Sequence, residues 1–167
     1  RNEEFTVNAA LIHAGLPIMG AIYVPARDLF YTAIRGGGAY RVGHGAIVRL
    51  PLDQRRRECI VVGSRSHGSP EYDEYLRVLR SRHGQLVLIS AGSSLKFCLV
   101  AEGAADLYPR MGTTMEWDTA AGQLIAEEAG GRFTDLAGRE TVASGNALLS
   151  NGRVHDHVLA VLDAVND

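Results

Sequence analysis

The chain has 167 residues, 46% of them hydrophobic, and a formal net charge of −2 at pH 7. This hydrophobic content is too high, and the charge too low, for a disordered chain, and the length suits one domain or one and a half. Because affinity for nucleic acid comes largely from neutralising phosphates, the small net charge argues against a nucleic acid polymer as partner. No apolar run approaches the roughly 18 residues that a membrane-spanning helix needs, so we expect no membrane span.

The two cysteines, Cys59 and Cys98, both stand among apolar residues. Free cysteine behaves as a small apolar residue, and thiols stay reduced in the cytoplasm. We therefore expect buried free thiols and a cytoplasmic location. Neither cysteine has a second cysteine or a histidine at metal-ligand spacing, so the sequence does not indicate a zinc site.

The first third of the chain is predicted to form antiparallel strands. Apolar runs separated by turn residues predict strands at 5–13, 16–23, 29–34 and 39–41. The short connections between them favour antiparallel neighbours. The stretch 42–58 is mixed and charged and is interpreted as a connection between domains. We expect a remnant of an N-terminal domain of antiparallel strands at residues 1–50 and a C-terminal α/β domain at residues 51–167.

The rest of the chain alternates between strand and helix patterns, which is typical of an α/β layer. Proline, serine and acidic residues mark the helix starts, and glycines mark several of the ends. Strands are predicted at 59–63, 86–89, 105–108, 132–134 and 147–149, and helices at 70–83, 95–102, 118–129 and 155–165.

Asp118 stands at the predicted amino terminus of the third helix, within Glu-Trp-Asp-Thr-Ala-Ala-Gly at 116–122. An aspartate in this place is most often a helix cap. Its carboxylate is also the kind of oxygen ligand that Mg²⁺ takes in proteins, and the small residues that follow would let a substrate come close. The residues alone leave both interpretations open.

Lys96 is the only lysine among the 17 lysine and arginine residues of the chain. It falls in the first turn of the second predicted helix, after Ser93 and Ser94, where hydroxyls and free backbone N–H groups favour an anion. A cation in this turn opposes the helix dipole, so a bound anion would account for it. Chance is the alternative explanation for the single lysine.

Two further segments lie at strand ends, where α/β sheets commonly carry their sites. Ser-Arg-Ser-His at 64–67 follows a predicted strand, and His67 is either an ordinary loop histidine or a hydrogen-bond donor to phosphate. Tyr-Pro-Arg at 108–110 places Arg110 at another strand end, close in sequence to Asp118.

Taken together, these segments resemble the inositol monophosphatase superfamily. The motif Trp-Asp-Thr-Ala-Ala-Gly at 117–122, followed by Glu-Ala-Gly-Gly at 128–131, is specific for the superfamily. Ser-Arg-Ser-His at 64–67 and Gly-Ser-Ser-Leu-Lys-Phe-Cys-Leu-Val-Ala-Glu-Gly at 92–103 resemble its CysQ-type 3′(2′),5′-bisphosphate nucleotidase branch. The similarity begins at Glu-Phe-Thr-Val-Asn, residues 4–8, and extends to about residue 150.

The resemblance implies a layered αβαβα sandwich of mixed α/β (α+β) class and Mg²⁺-dependent hydrolysis of adenosine 3′,5′-bisphosphate to AMP and phosphate. The position of the family's last metal-ligand aspartate matches Asp118, which would also contact substrate. The family's nucleotide-contacting positions match His67, Ser93, Lys96 and Arg110.

The family's other metal ligands, a Glu and an Asp-Pro-hydrophobic-Asp-Gly-Thr motif, come before the Phe-Thr-Val-Asn strand. The resemblance therefore implies that they precede Arg1, that no catalytic residue lies within residues 1–167, and that these residues alone are inactive. Glu3 and Glu4 are interpreted as the charged edge of a strand.

Three alternatives stay open at this stage. The substrate could be an inositol phosphate or a sugar phosphate instead of a bisphosphorylated nucleotide. The chain could also be a non-catalytic phosphonucleotide-binding module. Assembly as a homodimer is left open as well.

Overall fold

The computed structural model describes residues 4–52, 58–64, 70–112, 114–140 and 145–163, without the side chains of residues 71, 83, 162 and 163. Both cysteines are free and buried, as the sequence predicts. None of the described helices is long and apolar enough to cross a membrane.

The amino-terminal part forms a five-stranded antiparallel sheet with strands in chain order. Four of the strands were predicted, but the stretch interpreted as a connection contains a fifth, which corrects that prediction. It was missed because it is short and because its hairpin turn uses His44, at φ 52°, before Gly45, whereas Asn or Asp is the usual first residue of such a turn. The strands are β1 (Val7–His13), β2 (Leu16–Val24), β3 (Leu29–Ile34), β4 (Gly38–Gly43) and β5 (Ala46–Arg49).

The remaining strands form a second, mixed sheet in the order β7-β6-β8-β10-β9. Strand β6 pairs in parallel with β7 and β8, and β10 pairs antiparallel with β8 and β9. The strands are β6 (Cys59–Gly63), β7 (Leu86–Ser90), β8 (Leu107–Arg110), β9 (Arg132–Asp135) and β10 (Ala147–Ser150), and the helices are α1 (Pro70–His83), α2 (Leu95–Ala101), α3 (Glu116–Glu128) and α4 (His155–Asp163).

The two sheets enclose α2 and α3, and the second sheet packs its other face on α1 and α4. One hydrophobic core joins Ile22 of the first sheet to Phe97 and Leu124 of the enclosed helices and Leu149 of the second sheet. A separate core lies between the second sheet and the outer helices. This layer order confirms the predicted α/β class and the layered sandwich. The division of the chain at residue 50 stays a prediction, since one core includes residues from both sides.

The outer face of the first sheet is apolar and exposed. Its clearest row runs across all five strands, since Val7, Tyr23, Phe30, Val42 and Ile47 lie opposite one another in register. Val7 is 59% exposed and Ile47 is 73% exposed. In the part of the chain that the structure describes, no helix covers this face.

Carboxylates near the carboxyl ends of α2 and α3 attach both helices to the first sheet. Glu102 Oε1 accepts hydrogen bonds from the Tyr31 hydroxyl and from Arg41 Nη1, each at 2.8 Å. Glu128 accepts from the backbone N–H groups of Gly36 and Gly38, each at 2.8 Å. An acid at a helix carboxyl end opposes the helix dipole, so these donors compensate for its position.

Two glycines allow α3 to approach its neighbours closely. A Cβ on Gly20 would lie 2.9 Å from the carbonyl oxygen of Ala121, so β2 and α3 touch through backbone. A Cβ on Gly122 would lie 2.7 Å from the Cβ of Phe97, so α2 and α3 are in contact at this point. The Phe97 ring also packs edge to face on the Tyr108 ring, with the two ring centroids 5.4 Å apart.

The close contact at Gly122 predicts whether replacing this glycine by alanine raises or lowers the stability of the protein. We expect Gly122→Ala to destabilise the protein by about 1–3 kcal/mol, because the new methyl group overlaps a buried side chain that has no room to move. At an open helical site the same change would raise stability by about 0.5–1 kcal/mol. Urea unfolding of the two proteins measures the difference, and a higher midpoint for the variant would show that α2 and α3 are not closely packed.

Candidate functional site

The fold brings together four of the five residues that the sequence analysis assigned to the site. Ser93 and Lys96 lie at the start of α2, Arg110 ends β8, and Asp118 lies in the first turn of α3. The fifth residue, His67, lies outside the described residues.

Lys96 is only 6% exposed. Its ammonium donates to the backbone carbonyl of Ser93 at 2.7 Å and to that of Ala91 at 3.4 Å, and it stands 5.3 Å from the ring centroid of Tyr108. The side chain turns back over the loop that precedes α2. Its charge therefore has two carbonyl partners without any bound anion, which the sequence pattern does not reveal.

Arg110 is also 6% exposed. Its guanidinium donates to the carbonyls of Gly112 and Gly145, each at 3.2 Å. Among the described residues, no carboxylate forms an ion pair within 4.0 Å of either Lys96 or Arg110. Two cations are thus buried close together, and their hydrogen-bond acceptors among the described residues are backbone oxygens.

Burial and mutual repulsion act on both charges. Burial, and then the positive charge of Arg110, lower the pKa of Lys96 to about 8, while the carboxylate of Glu4 acts in the opposite direction. Burial lowers the pKa of Arg110, against the influence of Tyr108 and Asp118. Since the unfolded chain holds the Lys96 proton more tightly, the charged lysine lowers stability below about pH 8. That loss of stability is relieved as the pH rises toward 10.5, the usual pKa of a lysine side chain. An anion placed here would favour both charged forms.

Asp118 does not cap α3, which corrects one of the two interpretations of this residue. The helix begins two residues earlier, at Glu116, with Met115 in the N-cap position and no side-chain cap hydrogen bond. The Asp118 side chain is exposed, and its backbone carbonyl accepts a hydrogen bond from Ser94 Oγ at 3.0 Å. The carboxylate therefore faces solvent from the first helical turn.

The two serines also differ from the prediction that one of them caps α2. Ser94 occupies the N-cap position but makes no cap hydrogen bond. Its hydroxyl accepts from Asn8 Nδ2 at 2.8 Å and donates to the carbonyl of Asp118. Ser93 adopts a left-handed conformation, at φ 52°, and its hydroxyl lies 2.7 Å from that of Thr6.

The backbone N–H groups expected to be free for an anion are already used in part. The Gly92 N–H donates to Glu4 Oε2 at 2.8 Å, and the Ser94 N–H donates to Thr6 Oγ1 at 3.4 Å. Helix α2 is also only seven residues long. The positive character of this site therefore comes mainly from the Lys96 and Arg110 side chains.

Glu4, Thr6 and Asn8 are site residues that the sequence analysis missed. The interpretation of Glu4 as a charged strand edge was wrong, because its side chain is only 15% exposed. The available signal was the regular alternation in Glu-Phe-Thr-Val-Asn, since every second residue of an extended segment points the same way. All three side chains contact the loop ahead of α2.

The described residues supply one candidate metal ligand. An exposed carboxylate such as that of Asp118 suits a hard divalent cation. Within the ranges that the structure describes, no group of three or more His, Cys, Asp or Glu side chains could hold a metal ion. Asp118 therefore fits as one ligand of a set, and not as a metal site by itself.

Comparison with known proteins agrees with this fold. A model of the inositol monophosphatase family matches residues 1–166. The chain therefore belongs to the inositol monophosphatase family.

Several relatives are similar over most of this chain. The 3′(2′),5′-bisphosphate nucleotidase CysQ of Escherichia coli K12 is 46% identical over 139 residues, covering 83% of this chain and 54% of that protein. Histidinol-phosphatase of Mycobacterium tuberculosis is 34% identical over 93% of this chain and 60% of its own length. The crystal structure of CysQ from Bacteroides thetaiotaomicron superimposes with a TM-score of 0.81 at 41% identity, over 90% of this chain and 64% of that one. The chain thus spans about half the length of the curated relatives it matches.

The substitution Asp118→Asn tests whether Asp118 is a metal ligand or a structural residue. Because the carboxylate makes no cap contact, we expect stability to change by no more than about 0.3–1 kcal/mol, the value of a first-turn acid. We expect Mg²⁺ affinity in the full-length protein to fall strongly, since the amide lacks the ligand charge. Unfolding midpoints and Mg²⁺ titration calorimetry measure the two quantities, and unchanged Mg²⁺ affinity would remove Asp118 from the ligand set.

Proposed function

We propose that the full-length protein hydrolyses adenosine 3′,5′-bisphosphate to AMP and phosphate in a Mg²⁺-dependent reaction. The observation that carries the proposal is the burial of Lys96 and Arg110 side by side, without a carboxylate ion pair among the described residues, next to the exposed carboxylate of Asp118. A substrate with two phosphates suits this site, because Lys96 and Arg110 can bind one phosphate while a metal ion held in part by Asp118 acts on the other. Similarity to CysQ proteins supports a nucleotide as the substrate.

The site residues divide into three proposed roles: binding of the uncleaved phosphate, binding of Mg²⁺, and positioning of α3. Lys96 and Arg110, with the Ser93 hydroxyl and His67, bind the phosphate that is not cleaved, through charge-assisted hydrogen bonds. Asp118 is one of the carboxylates that hold Mg²⁺. When bound, such an ion polarises the phosphate and favours ionisation of water. Ser94 fixes the first turn of α3 through the Asp118 carbonyl and so orients the carboxylate.

Phosphatase activity on an inositol or sugar phosphate is the second candidate. It is supported by the likeness to a solved inositol monophosphatase of Thermotoga maritima, at 26% identity and a TM-score of 0.75, and by the histidinol-phosphatase relative. The single phosphate of a monophosphate is the one that is cleaved, so both buried cations would lack an anion, which is why we place this candidate second. The homodimer, the cytoplasmic location and the inactivity of residues 1–167 alone stay predictions.

Phosphate release by the full-length protein tests the proposal directly. Adenosine 3′,5′-bisphosphate, inositol 1-phosphate and histidinol phosphate are compared at equal concentrations with and without Mg²⁺. We expect the bisphosphate to give the highest kcat/KM. Preference for either monophosphate would replace the proposed substrate, and the absence of release from all three would favour a binding module.

Lys96→Met tests the assignment of the uncleaved phosphate. We expect kcat/KM for adenosine 3′,5′-bisphosphate to fall by about 10- to 150-fold relative to that for 3′-AMP, which lacks the second phosphate, the range of a hydrogen bond to a charged group. Arg80→Met removes an exposed cation from α1 and serves as the control. Equal losses on both substrates would mean that Lys96 only supports the loop whose carbonyls it contacts.

A further inference from the structure

Three alternating side chains attach the segment ahead of β1, and β1 itself, to the loop that carries Ser93. Glu4 accepts from the Gly92 N–H, Thr6 pairs with the Ser93 hydroxyl, and Asn8 donates to the Ser94 hydroxyl. The spacing of two residues is that of one face of an extended chain. The successive side chains on this face of the segment thus contact successive residues of the loop, Gly92, Ser93 and Ser94.

Glu4 is the most tightly placed of the three. Its Oε2 lies 2.8 Å from the Gly92 nitrogen, and its Oε1 lies 4.0 Å from Arg27 Nη2. A Cβ on Gly92 would lie 3.1 Å from both the Cβ and the carbonyl oxygen of Glu4. Glycine at this position therefore permits close contact between the loop and Glu4, and the carboxylate is held on both sides.

The loop and Lys96 depend on each other. The ammonium donates to the carbonyls of Ala91 and Ser93, the residues on either side of Gly92. A displacement of Gly92 would therefore displace the partners of Lys96. Ser93 is in a left-handed conformation that is unfavourable for a residue with a side chain, so the loop needs such contacts to keep its shape.

We propose that Glu4 is a positioning residue of the anion site, where its carboxylate fixes the loop of residues 92–94 and places a negative charge beside the Lys96 ammonium. The inference rests on the proposed function, because it assigns Glu4 to the same phosphate-binding site. Glu4 acts through Gly92 and Lys96 and does not itself contact the phosphate.

The charge of Glu4 has a consequence that depends on pH. The groups that influence Lys96 are Arg110 and Tyr108 on β8 and Glu4 ahead of β1, and Asp118 of α3 acts on Arg110. Of these, Glu4 is the one that raises the pKa of Lys96. Without its charge, Lys96 loses its proton at a lower pH, and an anion that needs the ammonium binds less well above that pH.

The test uses two variants and a matched control in the full-length protein. Glu4→Gln retains an acceptor for the Gly92 N–H but has no charge, whereas Glu4→Ala has neither. Glu74→Gln removes a carboxylate, 45% exposed, that pairs with Arg77 on α1 and lies outside the anion site. Calorimetry measures the Kd of adenosine 3′,5′-bisphosphate and of inorganic phosphate from neutral pH to well above the Lys96 pKa of about 8.

We expect Glu4→Ala to weaken binding at neutral pH about tenfold or more. For Glu4→Gln we expect a smaller loss at neutral pH and a decline of affinity that begins at lower pH than in the wild type. Glu74→Gln should match the wild type throughout. A merely structural residue would lower the unfolding midpoint without moving this pH profile.

Two results would overturn the inference. An unchanged pH profile for Glu4→Gln excludes the charge effect, and equal or tighter binding by Glu4→Ala shows that the carboxylate is not needed or competes with the anion. If the wild type hydrolyses the bisphosphate and the Glu4 variants behave like it, only the role of Glu4 fails. If the wild type hydrolyses no nucleotide but binds phosphate with the expected Glu4 dependence, the proposed function fails and the role of Glu4 stands.

Discussion

Two like charges, Lys96 and Arg110, are buried close enough for each to act on the other. Burying a cation away from water is unfavourable, and burying two close together adds repulsion. Among the described residues, both charges donate to backbone carbonyls and not to carboxylates, and Lys96 also lies over the Tyr108 ring. An arrangement that lowers stability in this way is best understood as preorganised for an anion, because a bound phosphate would satisfy both cations at once.

The surrounding fold holds this arrangement in place from several directions. Contacts at Gly20 and Gly122 fix α3 against β2 and α2, while Glu102 and Glu128 attach the carboxyl ends of the helices to the first sheet. The amino ends of both helices therefore meet with little freedom. Ser94 joins them directly, since its hydroxyl donates to the backbone carbonyl of Asp118 and so links the loop ahead of α2 to the first turn of α3.

Local sequence patterns were sufficient to predict most of the strands and helices. Strand β3 and strand β6 have the predicted bounds, because apolar runs with clear turn residues at both ends define them. Strand β5 could not be found, since its turn has an unusual residue. In the site, motif order pointed to Lys96, Arg110 and Asp118, but the contacts of Asn8 with Ser94 and of Glu4 with Gly92 join residues more than 80 positions apart in the chain. Such contacts are set by tertiary packing, which is also why Asp118 was mistaken for a possible cap.

If the buried Lys96 ammonium is held ready for an anion, its pKa must respond when a phosphate binds. NMR titration of protein labelled with ¹³C-lysine, with Lys96→Met used to assign the signal, measures its pKa with and without adenosine 3′,5′-bisphosphate. We expect a pKa of about 8 in the free protein and a clear rise on binding, because the bound phosphate favours the charged form. A pKa near 10.5, the usual value of a lysine side chain, in the free protein, or no change on binding, would show that the Lys96 ammonium is not held ready for an anion.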